Sequence, residues 1–99
     1  MTVSAFLTGG RVILTATFEV AGAPADPDTV LFLVRRPDGT LVTYEWNVSP
    51  EVAWVATGEY TCTFDIVAVG RYRCRAQGTG AACTAASEGI FEVLESDVL

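Results

Sequence analysis

Apolar and polar residues alternate with a period of two along most of this chain, which is the side-chain spacing of a half-buried β-strand. Residues 11–20 show the pattern most clearly. One face of that segment is apolar and comprises Val12, Leu14, Ala16, Phe18 and Val20. The other face is mostly polar, and no window of about 11 residues carries a helical stripe. The pattern therefore predicts a chain made of strands.

Five further segments repeat the alternation. They are residues 30–35, 40–46, 59–66, 71–77 and 81–94, the last with a kink expected near Gly89. Proline, aspartate and glycine mark the connections at residues 21–29, 37–39 and 78–80 as loops and turns. Residues 47–56 are less regular, and Trp54 is expected to plug one end of the core. This spacing predicts an all-β, antiparallel sandwich of about seven strands in one domain, residues 1–99, with its core within about residues 10–95 and short terminal arms.

The run Gly70-Arg71-Tyr72-Arg73-Cys74 resembles the start of strand F in immunoglobulin domains. In those domains the tyrosine two residues before the cysteine bonds through its hydroxyl to the backbone of the preceding corner. The resemblance implies an immunoglobulin-like β-sandwich in which residues 11–20 are strand B and residues 71–77 are strand F. Since residues 11–20 contain no cysteine, the B–F disulfide of that family cannot form, and the hydrophobic core must hold the sheets together.

The order of strand and turn segments along most of the chain is similar to small single-domain immunoglobulin-like proteins of tailed bacteriophages, which are encoded among head and tail morphogenesis genes. The segments that carry the likeness are residues 12–20, 22–30, 34–40, 58–60, 70–73, 78–80 and 88–93. The resemblance implies a non-enzymatic virion structural protein, first of all a capsid decoration (cement) subunit that docks on the major capsid protein. A head–tail connector or tail component is the alternative within that class.

The same resemblance implies the partners and the location. The partners would be other virion proteins, and the chain would act as a homo-oligomer or in multiple symmetric copies. It would be made in the bacterial host cytoplasm and end in the virion. A rival from another class is a cell-surface or carbohydrate-binding immunoglobulin-like module, because such sandwiches often present loops to ligands.

Charge and composition remove several other functions. The 99 residues include 12 acidic and 6 basic side chains, all six of them arginine, and the net charge is −6. A negative chain argues against general nucleic-acid binding. Histidine is absent, which excludes Ser-His-Asp and Cys-His catalysis and His-ligated metals, so we expect no enzyme activity and no cofactor. The start lacks the basic region of a signal peptide, and no apolar run reaches about 18 residues, so we expect no membrane span.

Two local patterns are expected to be structural. Cys62, Cys74 and Cys83 follow no metal-ligand spacing, and we predict buried reduced thiols, with a Cys62–Cys74 disulfide across the core as the alternative. Asp26-Pro27-Asp28-Thr29 offers two close carboxylates, fewer oxygen ligands than Ca²⁺ requires, and therefore favours a turn.

A basic row is the most informative candidate site. Alternation places Arg71, Arg73 and Arg75 on the outer face of one strand. Arg35 or Arg36 is expected beside them, because residues 30–35 would be strand C, which neighbours strand F in this fold. One interpretation is cross-strand pairing with Glu92 or Glu45. The other is a docking face, Arg35, Arg71, Arg73 and Arg75, for an acidic surface such as a capsid shell.

A second candidate is an apolar interface. If Arg35 faces outward, Leu31 and Leu33 share its face; if Arg36 does, that face carries Val30, Phe32 and Val34 instead. Both faces of this strand are thus apolar, so it is either covered on both sides or part of an interface. Phe91 and Val93 on the last strand raise the same question. The predicted apolar interface comprises Leu31, Leu33, Phe91 and Val93, and it favours an oligomeric or capsid-bound state.

Overall fold

The computed structural model describes residues 2–8, 10–66, 68–80, 83 and 85–93. They form ten strands in chain order: β1 (Thr2–Thr8), β2 (Arg11–Thr17), β3 (Glu19–Val20), β4 (Ala23–Pro24), β5 (Thr29–Arg35), β6 (Leu41–Glu45), β7 (Val52–Ala56), β8 (Glu59–Asp65), β9 (Gly70–Thr79) and β10 (Ala85–Val93). Eight of these strands make two four-stranded antiparallel sheets, ordered β1-β2-β8-β7 and β10-β9-β5-β6, while β3 and β4 form a separate hairpin. The predicted all-β, antiparallel class is therefore confirmed, and these orders match those of strands A-B-E-D and G-F-C-C′ in immunoglobulin-like sandwiches.

Alternate residues of both sheets point inward and form one hydrophobic core. Its members without exposed surface are Val12, Leu14, Ala16, Phe18, Val30, Phe32, Cys62 and Ala76. Two aromatic contacts join the layers. Tyr44 of β6 stacks on Phe64 of β8 with ring centroids 5.6 Å apart, and Trp46 meets Tyr60 edge-on at 5.6 Å. Because every inward position of β2 and β5 is buried, only the outward faces of these central strands are available for other contacts.

The corner before β9 has the geometry that its sequence predicts. The Tyr72 hydroxyl donates a hydrogen bond of 2.7 Å to the carbonyl oxygen of Ala68. Gly70 has a φ of +127°, a conformation that side chains disfavour, and a Cβ there would lie 2.9 Å from Pro37. The corner therefore favours glycine at position 70, and the predicted bond from the Tyr72 hydroxyl back to the corner backbone is formed.

Three strands lie where the pattern does not predict them, and one of them is β4, which lies within the loop expected at residues 21–29. β1 pairs along its length with β2, in a segment expected to be a terminal arm. β7 pairs with β8 through a bulge between Trp54 and Ala56, in the segment expected to be irregular. Trp54 is 50% exposed on this edge strand, so the expectation that it plugs the core is wrong. The count of about seven strands is also too low, since the two sheets of the described residues contain eight.

The strand predicted at residues 11–20 is shorter in the structure. β2 ends at Thr17, and the N–H of Phe18 donates instead to the carbonyl oxygen of Gly58 at 2.7 Å. Phe18 itself stays in the core, while Val20 lies 47% exposed in the β3–β4 hairpin. The alternation of apolar and polar residues therefore extends to Val20, beyond the end of β2 at Thr17.

The last two strands also differ from the predicted bounds. β9 runs on to Thr79, so Gly78 continues the strand rather than forming a turn. A side chain at Gly78 would lie 2.5 Å from Pro27 and 2.8 Å from Phe18, so those residues fill the space next to a bare backbone. β10 pairs with β9 without a register shift at Gly89, and the predicted kink is wrong. The predicted ends of this strand at residues 81 and 94 lie outside the described residues.

All three cysteines are buried free thiols, as the sequence predicts, and the alternative Cys62–Cys74 disulfide is not formed. Burial raises the pKa of the Cys62 thiol to about 12 and also raises the pKa of Cys74. These side chains therefore act as small apolar core residues.

Candidate functional site: an arginine-bearing sheet face

The outward side of the β10-β9-β5-β6 sheet carries four of the six arginines, and we call it the arginine face. Arg71, Arg73 and Arg75 alternate along β9, and Arg35 ends β5; all four are exposed. The register places Arg35 directly opposite Arg73. The predicted positions of these side chains are therefore confirmed, while their docking role stays a prediction.

One of these arginines is paired on its own surface. Arg75 Nη1 donates to Glu88 Oε1 at 2.7 Å, and its Nε donates to Gln77 Oε1 at 3.1 Å. The Arg75 and Glu88 side chains are 44% and 69% exposed, so solvent screening keeps the pair within about 1 kcal/mol. The partner lies on the neighbouring strand, as cross-strand pairing predicts, but it is Glu88 and neither of the two expected glutamates.

The expected partners lie elsewhere on the sheet. Glu92 is directly opposite Arg71 in the β9–β10 register, but among the described residues the two form no ion pair within 4.0 Å. Glu45, on β6, is directly opposite Leu31 of β5 and is not opposite any arginine. The expectation that Glu45 pairs with the row is therefore wrong.

Among the described residues, no ion pair balances the guanidinium groups of Arg35 and Arg73, and the same holds for Arg71. Arg35 Nη1 donates to the carbonyl oxygen of Gly39 at 2.8 Å, which holds the group over its own turn without neutralising it. Within the described part of the chain, neither arginine has a carboxylate within 4.0 Å. Like charges directly opposite each other on neighbouring strands destabilise a sheet by up to about 1 kcal/mol, so this pair does not contribute to the stability of the isolated domain.

Aliphatic side chains lie beside this charge. At the end of β5 it is Arg35, and not Arg36, that faces outward, so Leu31 and Leu33 lie half-buried on the arginine face. The intervening residues Val30, Phe32 and Val34 face inward and belong to the core. Ile90 is 62% exposed and Leu41 is 47% exposed on the flanking strands. A depression of about 500 Å³ lies here, lined by Leu33, Leu41 and Ile90 together with Arg35, Arg73 and Arg75.

Two members of the predicted apolar interface are not on the surface. Phe91 is 9% exposed and Val93 is 1% exposed, so neither can contact a partner. Phe91 stacks on Tyr72 inside the sandwich with ring centroids 5.0 Å apart. The β9–β10 register turns Ile90 outward instead. The assignment of Phe91 and Val93 to an interface is therefore wrong, and Ile90 and Leu41 are the residues that sequence reasoning missed.

Arg36 does not join the arginine face. It lines a second depression, of about 600 Å³, with Tyr44, Glu51 and Asp65. Asp65 also forms an exposed ion pair of 3.5 Å with Arg11 on the first sheet. Both surfaces contain both signs of charge, but the arginines of the arginine face are concentrated on β9 and at the end of β5.

The Asp26 turn has a structural role. Asp26 Oδ1 accepts hydrogen bonds from the Gly58 N–H at 2.7 Å, the Tyr60 hydroxyl at 3.2 Å and the Trp54 indole N–H at 3.3 Å. The Gly58 N–H first, and then the two side-chain donors, hold the pKa of Asp26 below its ordinary value despite some desolvation. Asp26 therefore acts as a structural acceptor in the loop before β5, and one of its hydrogen bonds comes from the indole N–H of Trp54.

The described residues contain no group of three or more His, Cys, Asp or Glu side chains placed to hold a metal ion. Nor does any helix within those residues have the length and apolarity needed to cross a membrane.

Comparison with known proteins adds information on the fold. No family model matches the chain, and no curated protein matches it. A solved structure that is similar is the chitinase ChiW from Paenibacillus sp. str. FPU-7, described as a bacterial cell-surface-expressed multi-modular enzyme machinery. The match has a TM-score of 0.70 at 18% identity and covers 93% of this chain but only 8% of the chitinase. At that identity the likeness concerns the fold alone.

Proposed function

We propose that this chain is a non-enzymatic structural domain of a tailed-phage particle, acting first of all as a capsid decoration subunit that docks through its arginine face on the major capsid protein. A head–tail connector or tail component would use the same face on a different virion partner. The proposal follows from the segment order that resembles small phage immunoglobulin-like proteins, and the arginine face provides its contact surface.

The distribution of charge is the observation that carries the proposal. The outward strand residues of the arginine face include four arginines and three glutamates, whereas the whole chain carries a net charge of −6. Arginine is enriched at protein interfaces because its planar group binds carboxylates in two places at once. If many symmetric copies of the chain bind one particle, avidity allows each individual contact to be weak.

A particle-binding experiment tests the proposal. Purified phage particles from a strain lacking the gene are incubated with the protein and sedimented, and bound copies are counted by mass spectrometry. We expect Arg73→Glu to abolish binding, since it reverses the charge at the centre of the face. Arg11→Glu is the matched control, because Arg11 is exposed on the opposite sheet, and it should bind normally.

Both variants change exposed side chains, so their melting temperatures should stay near that of the native protein. Equal occupancy of particles by the Arg73→Glu variant would overturn the docking role. Absence of the chain from purified wild-type particles would overturn the virion assignment. Flanking capsid and portal genes would support it, and a surrounding secretion operon would contradict it.

A carbohydrate-binding surface module is the second candidate, and Trp54 favours it. Trp54 is 50% exposed, and its indole N–H donates to Asp26, so the ring is available to stack on a sugar. The similar solved structure also comes from a multi-modular chitinase. A glycan array that includes chito-oligosaccharides tests this candidate. Binding that is lost in Trp54→Ala but kept in Arg73→Glu would favour it over the virion role, and no binding would exclude it.

A further inference from the structure

The arginine face contains one place where charge and apolar surface meet. Arg35 and Arg73 are directly opposite on neighbouring strands, and both line the depression of about 500 Å³. Its aliphatic lining comes from Leu33, half-buried on β5, and from the exposed Leu41 and Ile90. A cavity of this size accepts a few side chains rather than a whole protein surface.

The two guanidinium groups define what kind of group fits between them. One carboxylate placed between two arginines accepts charge-assisted hydrogen bonds from both and removes their mutual repulsion. Arg35 is already held by its bond to Gly39, so it loses little freedom when a ligand arrives. The exposed Ile90 and Leu41 side chains would leave water if an aliphatic side chain covered them.

We propose that this depression binds an acidic segment of a protein partner, with a carboxylate between Arg35 and Arg73 and a neighbouring leucine-sized side chain against Leu41 and Ile90. The inference rests on the docking role proposed above and names the chemistry of the partner. A strand of nucleic acid fits less well, because its continuous run of phosphates would extend beyond the arginines onto a chain with a net charge of −6 and its backbone would leave Leu41 and Ile90 uncovered.

Fluorescence anisotropy with synthetic peptides tests the inference. The probe is a fluorescein-labelled, end-capped peptide of sequence Ser-Asp-Leu-Glu-Leu-Asp-Ser. One matched peptide replaces its acids with Asn and Gln, and the other replaces its leucines with Ser. We expect the acidic peptide with leucines to bind at least about tenfold more tightly than either, and more weakly as salt is added.

Variants of the protein locate the binding. Arg73→Ala and Arg35→Ala should each weaken binding of the acidic peptide about tenfold, because each removes one charge-assisted contact. Ile90→Ser should weaken it through the aliphatic contact. Arg11→Ala, on the opposite sheet, should leave the affinity unchanged.

Equal binding of the neutral peptide, an affinity unchanged by Arg73→Ala, or no binding of the acidic peptide would each overturn the inference. So would displacement of the probe by a short oligo-dT strand at lower concentration than by unlabelled acidic peptide. If particle binding depends on Arg73 but the acidic peptide does not bind, the docking role is supported and the proposed chemistry of the partner is wrong. If the peptides bind but particles lack the chain, the site stands and the virion role falls.

Discussion

Asp26 connects the loop before β5 to β7, to β8 and to the turn between those two strands, and its replacement by alanine should destabilise the fold. The short bond from Gly58 is charge-assisted, and such bonds contribute about 1.5–3 kcal/mol when buried. Asp26 is exposed, which puts this bond at the lower end of that range. The longer bonds from Trp54 and Tyr60 add little, but Tyr60 is 1% exposed and would lose its acceptor. We therefore expect a loss of about 2 kcal/mol, or roughly 10 °C in melting temperature for a domain of this size.

The same residue predicts a pH dependence. The folded-state pKa of Asp26 is lowered below the ordinary value of 3.8, so the carboxylate stabilises the fold above that pH. Its contribution is lost as the pH falls through the folded-state pKa. The difference in unfolding free energy between the native protein and Asp26→Asn should thus be constant near neutral pH and shrink below about pH 4.

Urea unfolding followed by tryptophan fluorescence from pH 7 to pH 2.5 measures both effects. Glu19→Gln is the control, because Glu19 is exposed and makes no side-chain hydrogen bond among the described residues. It should leave both the stability and the pH profile unchanged. An Asp26→Ala variant within about 0.5 kcal/mol of the native protein, or an Asp26→Asn difference that does not shrink in acid, would refute the reasoning.

Three further outcomes follow from the core and the corner. Leu14 has no exposed surface, so Leu14→Ala should lower the free energy of unfolding, measured by chemical denaturation, by about 3–4 kcal/mol. Leu41 is 47% exposed, so Leu41→Ala should lower it by less than about 1 kcal/mol. Similar losses in the two variants would contradict the assigned core. Tyr72→Phe removes the 2.7 Å bond to Ala68 and should cost about 1 kcal/mol, and an unchanged melting temperature would argue against the corner. Cys62, buried with a pKa of about 12, should react with a thiol reagent only at the rate of unfolding, which mass spectrometry after timed labelling checks.

The alternation of apolar and polar residues correctly predicted the strands that have one buried face and one face toward solvent. β2, β5 and β9 have this property, since their inward residues are buried and their outward residues are not. β7 does not have it, because four of its five residues are exposed on the edge of the sandwich. Its sequence, Val-Ala-Trp-Val-Ala, has no polar face to reveal a strand. An edge strand is held by pairing with its neighbour, and that pairing is tertiary information.

The prediction of which residues face solvent was wrong where a strand has apolar residues at both inward and outward positions. On β10 an outward Ile90 precedes an inward Phe91, so hydrophobicity does not tell which one faces solvent. The register against β9 decides it, because Ile90 is opposite the outward Arg73 and Phe91 is opposite the inward Tyr72. The polar residues on either side of Ile90, Glu88 and Glu92, share its parity and were the signal available in the sequence. Charged residues at alternate positions are therefore better markers of the outward face than apolar ones.

The arrangement of the arginines supports the proposed docking role of the face. A face selected only to remain solvated favours pairs such as Arg75 and Glu88, which are neutral together and exposed. The opposition of Arg35 and Arg73 is unfavourable in an isolated domain, and exposed Ile90 beside it adds apolar surface to the same region. An acidic partner that covers both would relieve the repulsion and the exposure at once. The net charge of −6 is thus an average over a chain whose outward β9 surface has the opposite sign.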